Sequence, residues 1–250
     1  MRQVDRFWVL WGIARSLLIY YAKPGRARRD RHFYGQFISR GALVFDVGAH
    51  VGNRANVFLR LGARCVAVEP QPAFAALLRL LYGRKPAFTL EKVALAAAPG
   101  HVDLHISRRT PTVSTTSAAW KERVARSQSF SRVTWDETVS AATMTLDQLI
   151  DRYGVPDLCK IDVEGSELAV LQGLSRPLPL LSLEYIPALS ADAVACLERL
   201  EGLASYEYNW SRGESQRLRE NRWLPASAMA ERISNLPSGD RSGDLYARLT

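Results

Sequence analysis

From residue 42 onward, short apolar runs alternate with amphipathic stretches of helical period, the pattern of successive βα units on a parallel sheet. ALVFDVGA (42–49) predicts the first strand, VGNRANVFLRLG its helix, and RCVAVEP (64–70) the second strand. PAFAALLRLLYG has a helical period, FTLEKVALAA (88–97) predicts a third strand, and HVDLHI (101–106) a short strand after the Pro99-Gly100 turn. The order so far is β-α-β-α-β, half of a doubly wound sheet.

Between 107 and 143 the rhythm breaks into Ser, Thr and Arg around Trp120 and Trp135, which predicts an insertion over the sheet acting as a lid or binding loop. A helix over 145–153 follows, capped by Thr145 and ended by Gly154. Strand 157–165, helix 166–174, strand 180–186 and helix 190–204 continue the alternation. SYEYNW (205–210) and DLYARL (244–249) then predict two strands across a long irregular segment, paired antiparallel at the sheet edge. With 250 residues, 47% of them hydrophobic, the chain suits one α/β domain over 41–250 behind a helical extension, 1–40.

Charge refines this picture. The net charge is +8, but residues 1–40 carry nine Lys/Arg against Asp5 and Asp30, about +7, and the rest is nearly neutral. A basic face across the body, as a nucleic-acid enzyme requires, is not expected. The apolar stretch 7–21 contains Arg15 and Ser16 and is too short for a membrane span. The plainer expectation is a helix packed on the domain with solvated arginines after it. The alternative is peripheral contact with the inner membrane surface, the Arg-rich 26–31 binding headgroups. Cys65, Cys159 and Cys196 are too scattered for disulfides or zinc, which predicts a reducing, cytoplasmic setting.

Candidate chemistry begins where the first strand ends. Asp46, Gly48, Ala49, His50 and Gly52 lead directly into a helix, where glycine admits close backbone approach and the helix start offers free N–H groups. The dinucleotide fingerprint G-x-G-x-x-G is missing, which disfavours a nicotinamide-dependent oxidoreductase or epimerase. Glu69, followed by Pro70, ends the second strand, where a carboxylate can accept both ribose hydroxyl hydrogens and repels a 2′-phosphate. Together these positions resemble the class I (Rossmann-like) methyltransferase cofactor site, in which the loop lies against the methionine part of S-adenosylmethionine. On that fold Val93 and Ala94 would flank the adenine. A glycine turn that only tightens helix packing is the competing explanation.

Lys160, Asp162 and Glu164 alternate along a strand expected to be central, so all three should share one face. Burying three charges costs several kcal/mol per ion, which favours an active-site border over a plain ion pair of Lys160. Asp162 would hold the methionine ammonium or the acceptor hydroxyl, and Glu184, ending the next strand, is a candidate base or substrate ligand. Two such acids could also hold a divalent metal; the spacing does not require one, and no residue is assigned to a metal. Asp-Val-Glu-Gly stands where amino-group methyltransferases of this fold often carry an Asn/Asp-Pro-Pro-aromatic motif, which favours oxygen as acceptor.

FDVGAHVGNR (45–54), LGARCVAVEPQP (61–72), TLDQLIDRYGVPDLCKIDVEGSE (145–167) and SLEYIP (182–187) resemble the FkbM family of methyltransferases. The resemblance implies S-adenosylmethionine-dependent O-methylation of sugars, glycans, polyketides or other secondary metabolites, with no oligomeric state specified. It implies cofactor contacts at Asp46, Gly48, Gly52 and Glu69, and a catalytic border at Asp162 and Glu164. PTVSTTSAAW (111–120) is similar to a substrate-side loop in part of the family, which makes Thr112, Ser114, Thr115 and Trp120 contact candidates. A non-catalytic module that keeps the cofactor fold is the remaining alternative.

Overall fold

A computed structural model describes residues 3–125 and 133–250, with side chains described over 10–124 and from 133 onward. In chain order the strands are β1 (Leu43–Val47), β2 (Arg64–Val68), β3 (Phe88–Glu91), β4 (Ala94–Leu95), β5 (Gly100–Ile106), β6 (Glu137–Met144), β7 (Leu158–Ile161), β8 (Leu180–Tyr185), β9 (Tyr206–Trp210), β10 (Leu224–Pro225) and β11 (Gly243–Leu249). The helices are α1 (Gln3–Tyr21), α2 (Arg26–Tyr34), α3 (Asn53–Arg60), α4 (Pro72–Tyr82), α5 (Ala118–Ala125), α6 (Leu146–Tyr153), α7 (Glu167–Gln172), α8 (Ser190–Glu201) and α9 (Ala226–Ser234).

The main sheet runs β10-β9-β11-β8-β7-β1-β2-β3. β3, β2, β1, β7 and β8 are parallel, and β11 runs against both β8 and β9. The expected antiparallel pair is present, but β11 lies inside the sheet and β10 forms the edge. Inserting β11 between β8 and β9 leaves β9 parallel to the other long strands. The order turns outward in both directions from β1 and β7, and this switch point opens a crevice at their carboxyl ends.

Strand alternation divides the core in two. Phe45, Val47, Val66, Val68, Cys159, Ile161, Leu181 and Leu183 pack with residues of α6, α7, α8 and α9. Val44, Cys65, Ala67, Leu158 and Tyr246 pack on the other side with α2, α3 and α4. Each strand of a doubly wound sheet is covered on both faces, which explains why these runs are apolar throughout. Helix α6 starts as its sequence predicts: the Thr145 side chain accepts from the Gln148 amide while the Gln148 side chain accepts from the Thr145 amide, a complete capping box.

Four expectations need correction. The third strand, expected over 88–97, splits at Lys92 and Val93 into β3 and β4, and β4 joins a separate sheet ordered β4-β6-β5. HVDLHI lies in β5 and pairs there with β6, so the expected polar insertion over 107–143 ends in a strand. Its residues 126–132 lie outside the described residues. The arginines after α1 are not all solvated, because they form α2, whose Arg26 is buried. Helix α9 also lies in the segment expected to be irregular. Among the described residues no helix is long and apolar enough to cross a membrane.

Thr145→Ala is expected to cost about 1 kcal/mol of stability, and Leu149→Ala, in the core on the same helix, roughly 2–5 kcal/mol. Urea denaturation of both variants checks the order.

Candidate active site

The loop from β1 to α3 is shaped by one close approach. A β-carbon on Gly48 would stand 1.8 Å from the Asp162 carbonyl oxygen, and the residue has a φ of +82°, so the loops after β1 and β7 meet backbone to backbone. His50 also takes a positive φ of 49°, and its amide donates to Glu69 Oε2 at 2.8 Å. The Gln71 amide donates to Glu69 Oε1 at 2.8 Å. Glu69 is therefore held by two backbone donors, each carboxylate oxygen keeping a further lone pair. Burial outweighs those bonds and raises its pKa to about 7.

Asp46, 2% exposed, is the penultimate residue of the neighbouring strand β1. Burial raises its pKa to about 6 against the pull of Lys160 and Arg54, and its Oδ2 has no hydrogen-bond partner. His50 packs between Tyr20 and Phe74, with Nε2 buried and unpartnered, and burial lowers its pKa to about 4. Its ring is neutral at physiological pH.

These groups open onto a concave cavity whose walls combine apolar side chains with convergent polar groups, the make-up of a ligand site. Gly48, Ala49, Pro70, Val93 and Ala94 line it, Val93 just before β4 and Ala94 as its first residue. Gly52 does not line it: its open side faces Leu78 and Tyr82, and its carbonyl accepts from the Tyr82 hydroxyl. Its φ of +75° makes the turn into α3.

Lys160 is 2% exposed, with Nζ 2.6 Å from Asp162 Oδ2 and 3.9 Å from Asp244 Oδ1. Both Lys160 and Asp162 line the cavity, so their ion pair forms part of its wall. The strand ends at Ile161, and Glu164 stands in a turn with a φ of +52°, so the expected alternation stops before it. Even so, Asp162, Glu164 and Glu184 bring carboxylate oxygens within 4.8 Å of one another. Burial first, and then neighbouring carboxylates, raises the proton affinity of Glu164 and Glu184. A shared proton relieves this repulsion without an ion.

Of the expected substrate-side residues, Thr112 and Ser114 line the cavity. Thr115 is buried and donates to the Glu164 carbonyl at 2.6 Å, which braces that turn. Trp120 is 1% exposed, and its ring occupies the space where Gly165 lacks a side chain. Trp120 and Glu184 line a second cavity with Tyr185 and Arg123.

Several lining residues were not anticipated: Tyr20 from α1, Asn53 and Arg54 from α3, Gln71, and Glu214 from the segment before β10. Arg54 donates to Asp30 Oδ2 at 2.8 Å and pairs with Glu214, which also receives Arg26 at 2.7 Å. Burial raises the proton affinity of Glu214, but Arg54 and Arg26 outweigh it and hold its pKa near 2. The only cue in the sequence was the excess of arginine near the N-terminus; Glu214, the acid that joins Arg26 to Arg54, lies far away along the chain.

The family model described as methyltransferase FkbM domain matches residues 46–186. No match is found among curated proteins. Among solved structures, an O-methyltransferase from Bacillus cereus in complex with SAH is 12% identical, with a TM-score of 0.51 over 100% of this chain and 92% of that one. A precorrin-6Y C5,15-methyltransferase from Geobacter metallireducens GS-15 is 11% identical, with a TM-score of 0.46 over 88% of this chain and 87% of that one. What the first of these shares with this chain is the Rossmann-like class I sheet.

Gly48→Ala is expected to destabilise the protein by roughly 2–4 kcal/mol, combining strain with a backbone clash. Gly41→Ala, at a φ of +85° with nothing within 4 Å, should cost only about 1–2 kcal/mol. Comparing the two by urea denaturation separates loop contact from backbone strain.

Proposed function

The chain belongs to the methyltransferase FkbM family, and from that premise we propose that it is an S-adenosylmethionine-dependent O-methyltransferase acting on a hydroxyl of a sugar, glycan, glycolipid or other secondary metabolite. The observation that carries oxygen as acceptor is the carboxylate group of Asp162, Glu164 and Glu184 beside the cavity, because a hydroxyl must lose its proton as it is methylated.

The cavity residues fit the cofactor. Glu69 is preset by two backbone N–H donors to accept ribose hydroxyls, and the unpartnered Asp46 Oδ2 offers a buried negative charge to a cationic ligand. His50, neutral because it is buried, adds no opposing charge. Bound S-adenosylmethionine supplies a methyl group already activated by its sulfonium, so the chain needs mainly to align the acceptor and receive its proton. Asp162, committed to Lys160, suits a positioning role toward the ammonium or the acceptor hydroxyl. Glu164 lines the cavity with its proton affinity raised, and is assigned as the base, with Glu184 sharing the proton from behind. Thr112 and Ser114 offer hydroxyls to the acceptor.

Burial raises Asp46 to about 6 and Glu69 to about 7, whereas the ligand favours their ionised forms. S-Adenosylhomocysteine affinity should therefore rise on the order of tenfold between about pH 5.5 and 8, with proton release. Calorimetry in buffers of different ionisation heat reads both; preference for NAD as the control ligand would defeat the cofactor assignment.

Glu164→Gln should lower kcat by about 100-fold or more and leave S-adenosylhomocysteine binding within about threefold of the parent. The acid limb of the parent's kcat profile should lie above the usual carboxylate pKa of roughly 4.3. Isotopically labelled methyl transfer to a panel of sugar and glycolipid hydroxyls tests the acceptor, and label recovered on nitrogen would sink the oxygen assignment.

A further inference from the structure

Helix α1 is apolar on the side that points outward as well as on the side that packs. Toward the domain it turns Gly12, where a β-carbon would stand 2.7 Å from the Arg108 carbonyl oxygen, then the buried Ser16, and Tyr20, which lines the cavity. Outward it turns Leu10 (65% exposed), Trp11 (54%), Leu18 (68%) and Ile19, interrupted by Ala14 and one charge, Arg15. A helix resting on a water-soluble domain ordinarily shows solvent its charged face.

A second segment repeats this chemistry. The Tyr21 hydroxyl lies 2.8 Å from the Tyr82 hydroxyl, which joins the end of α1 to the end of α4. There Leu80 (81% exposed) and Leu81 are exposed beside Arg79, Arg84 and Lys85, also exposed. Around α1 the exposed charges are Arg15, Lys23, Arg28, Arg29 and Arg31. Asp30 is the one acid between residues 10 and 40, and it is buried against Arg54; residues 72–90 contain none.

We propose that the outward face of α1 and the tip of α4 form a docking surface for an anionic lipid bilayer, with α1 lying in the plane of the interface. Leucines and a tryptophan at headgroup depth, flanked in both segments by exposed cations, fit such a surface. A second copy of the chain fits less well, since apposing two such faces would bring like charges together. Docking places a cavity wall, Tyr20, within about one helix diameter, roughly 10 Å, of the membrane. The surface lies largely outside the residues matched by the family model, so it is independent of the methyl-transfer assignment.

Co-sedimentation of the full chain tests this, using vesicles of phosphatidylcholine alone and vesicles in which a quarter of the lipid is phosphatidylglycerol. The chain is expected to pellet with the anionic vesicles and to lose about tenfold or more in affinity on neutral vesicles or in about 0.5 M salt. L18S/I19S and, separately, R28S/R29S should each lose about tenfold or more while unfolding at the parent's temperature; L80S/L81S gives the same reading from the other segment. The proposal falls if the parent stays in the supernatant with both vesicles, or if the variants bind as it does. It also falls if sedimentation velocity without lipid shows a dimer that L18S/I19S disperses, because the occupant is then a second copy.

Discussion

The ammonium of Lys160 sits 2% exposed beneath the carboxyl ends of the central strands, where an unmatched cation would cost several kcal/mol. Burial works against its charge, yet Asp162 and Asp244 outweigh burial and make it hold its proton more firmly than a free lysine. Two carboxylates from distant parts of the chain are thereby committed to one point. Asp162 is fixed at the end of β7, and its carbonyl in turn meets Gly48 with no room for a side chain. Asp244 ties β11, the one long strand that runs backwards, to the same point. Acids of the site thus gather around this buried cation.

A second charged assembly contributes Arg54 and Glu214 to the cavity wall. Arg26, Asp30, Arg54 and Glu214 join α2, α3 and the segment after β9. Only Arg54 among them falls within the residues matched by the FkbM model. The parts flanking the matched region therefore supply part of the pocket wall, and Tyr20 on α1 makes the first helix part of it too. A chain cut back to 46–186 would lose those walls as well as β9 and β11.

The acids beside the cavity divide by environment. Burial outweighs the donors around Glu69 and the cations near Asp46, so both keep their protons to higher pH than ordinary carboxyls, while Glu214, between two guanidiniums, gives its proton up more readily. The first pair can respond to a cationic ligand, and the last is structural.

The sequence by itself determined the βα rhythm, the glycine loop, the acid at the end of β2, the cap at Thr145 and the FkbM motifs. All of these are local: strand and helix periods, capping and turn chemistry act over a few residues and are written in adjacent letters. Only the tertiary structure decided that β4 leaves the main sheet, that β11 enters its interior, and that Gly52 faces a helix rather than the cavity. It likewise placed Thr115 and Trp120 behind the site and brought Tyr20, Arg54 and Glu214 into its wall. These are contacts between residues far apart along the chain, 160 positions in the case of Arg54 and Glu214. Such contacts are set by which buried charges must find partners and which faces must be covered, and no short-range pattern encodes either.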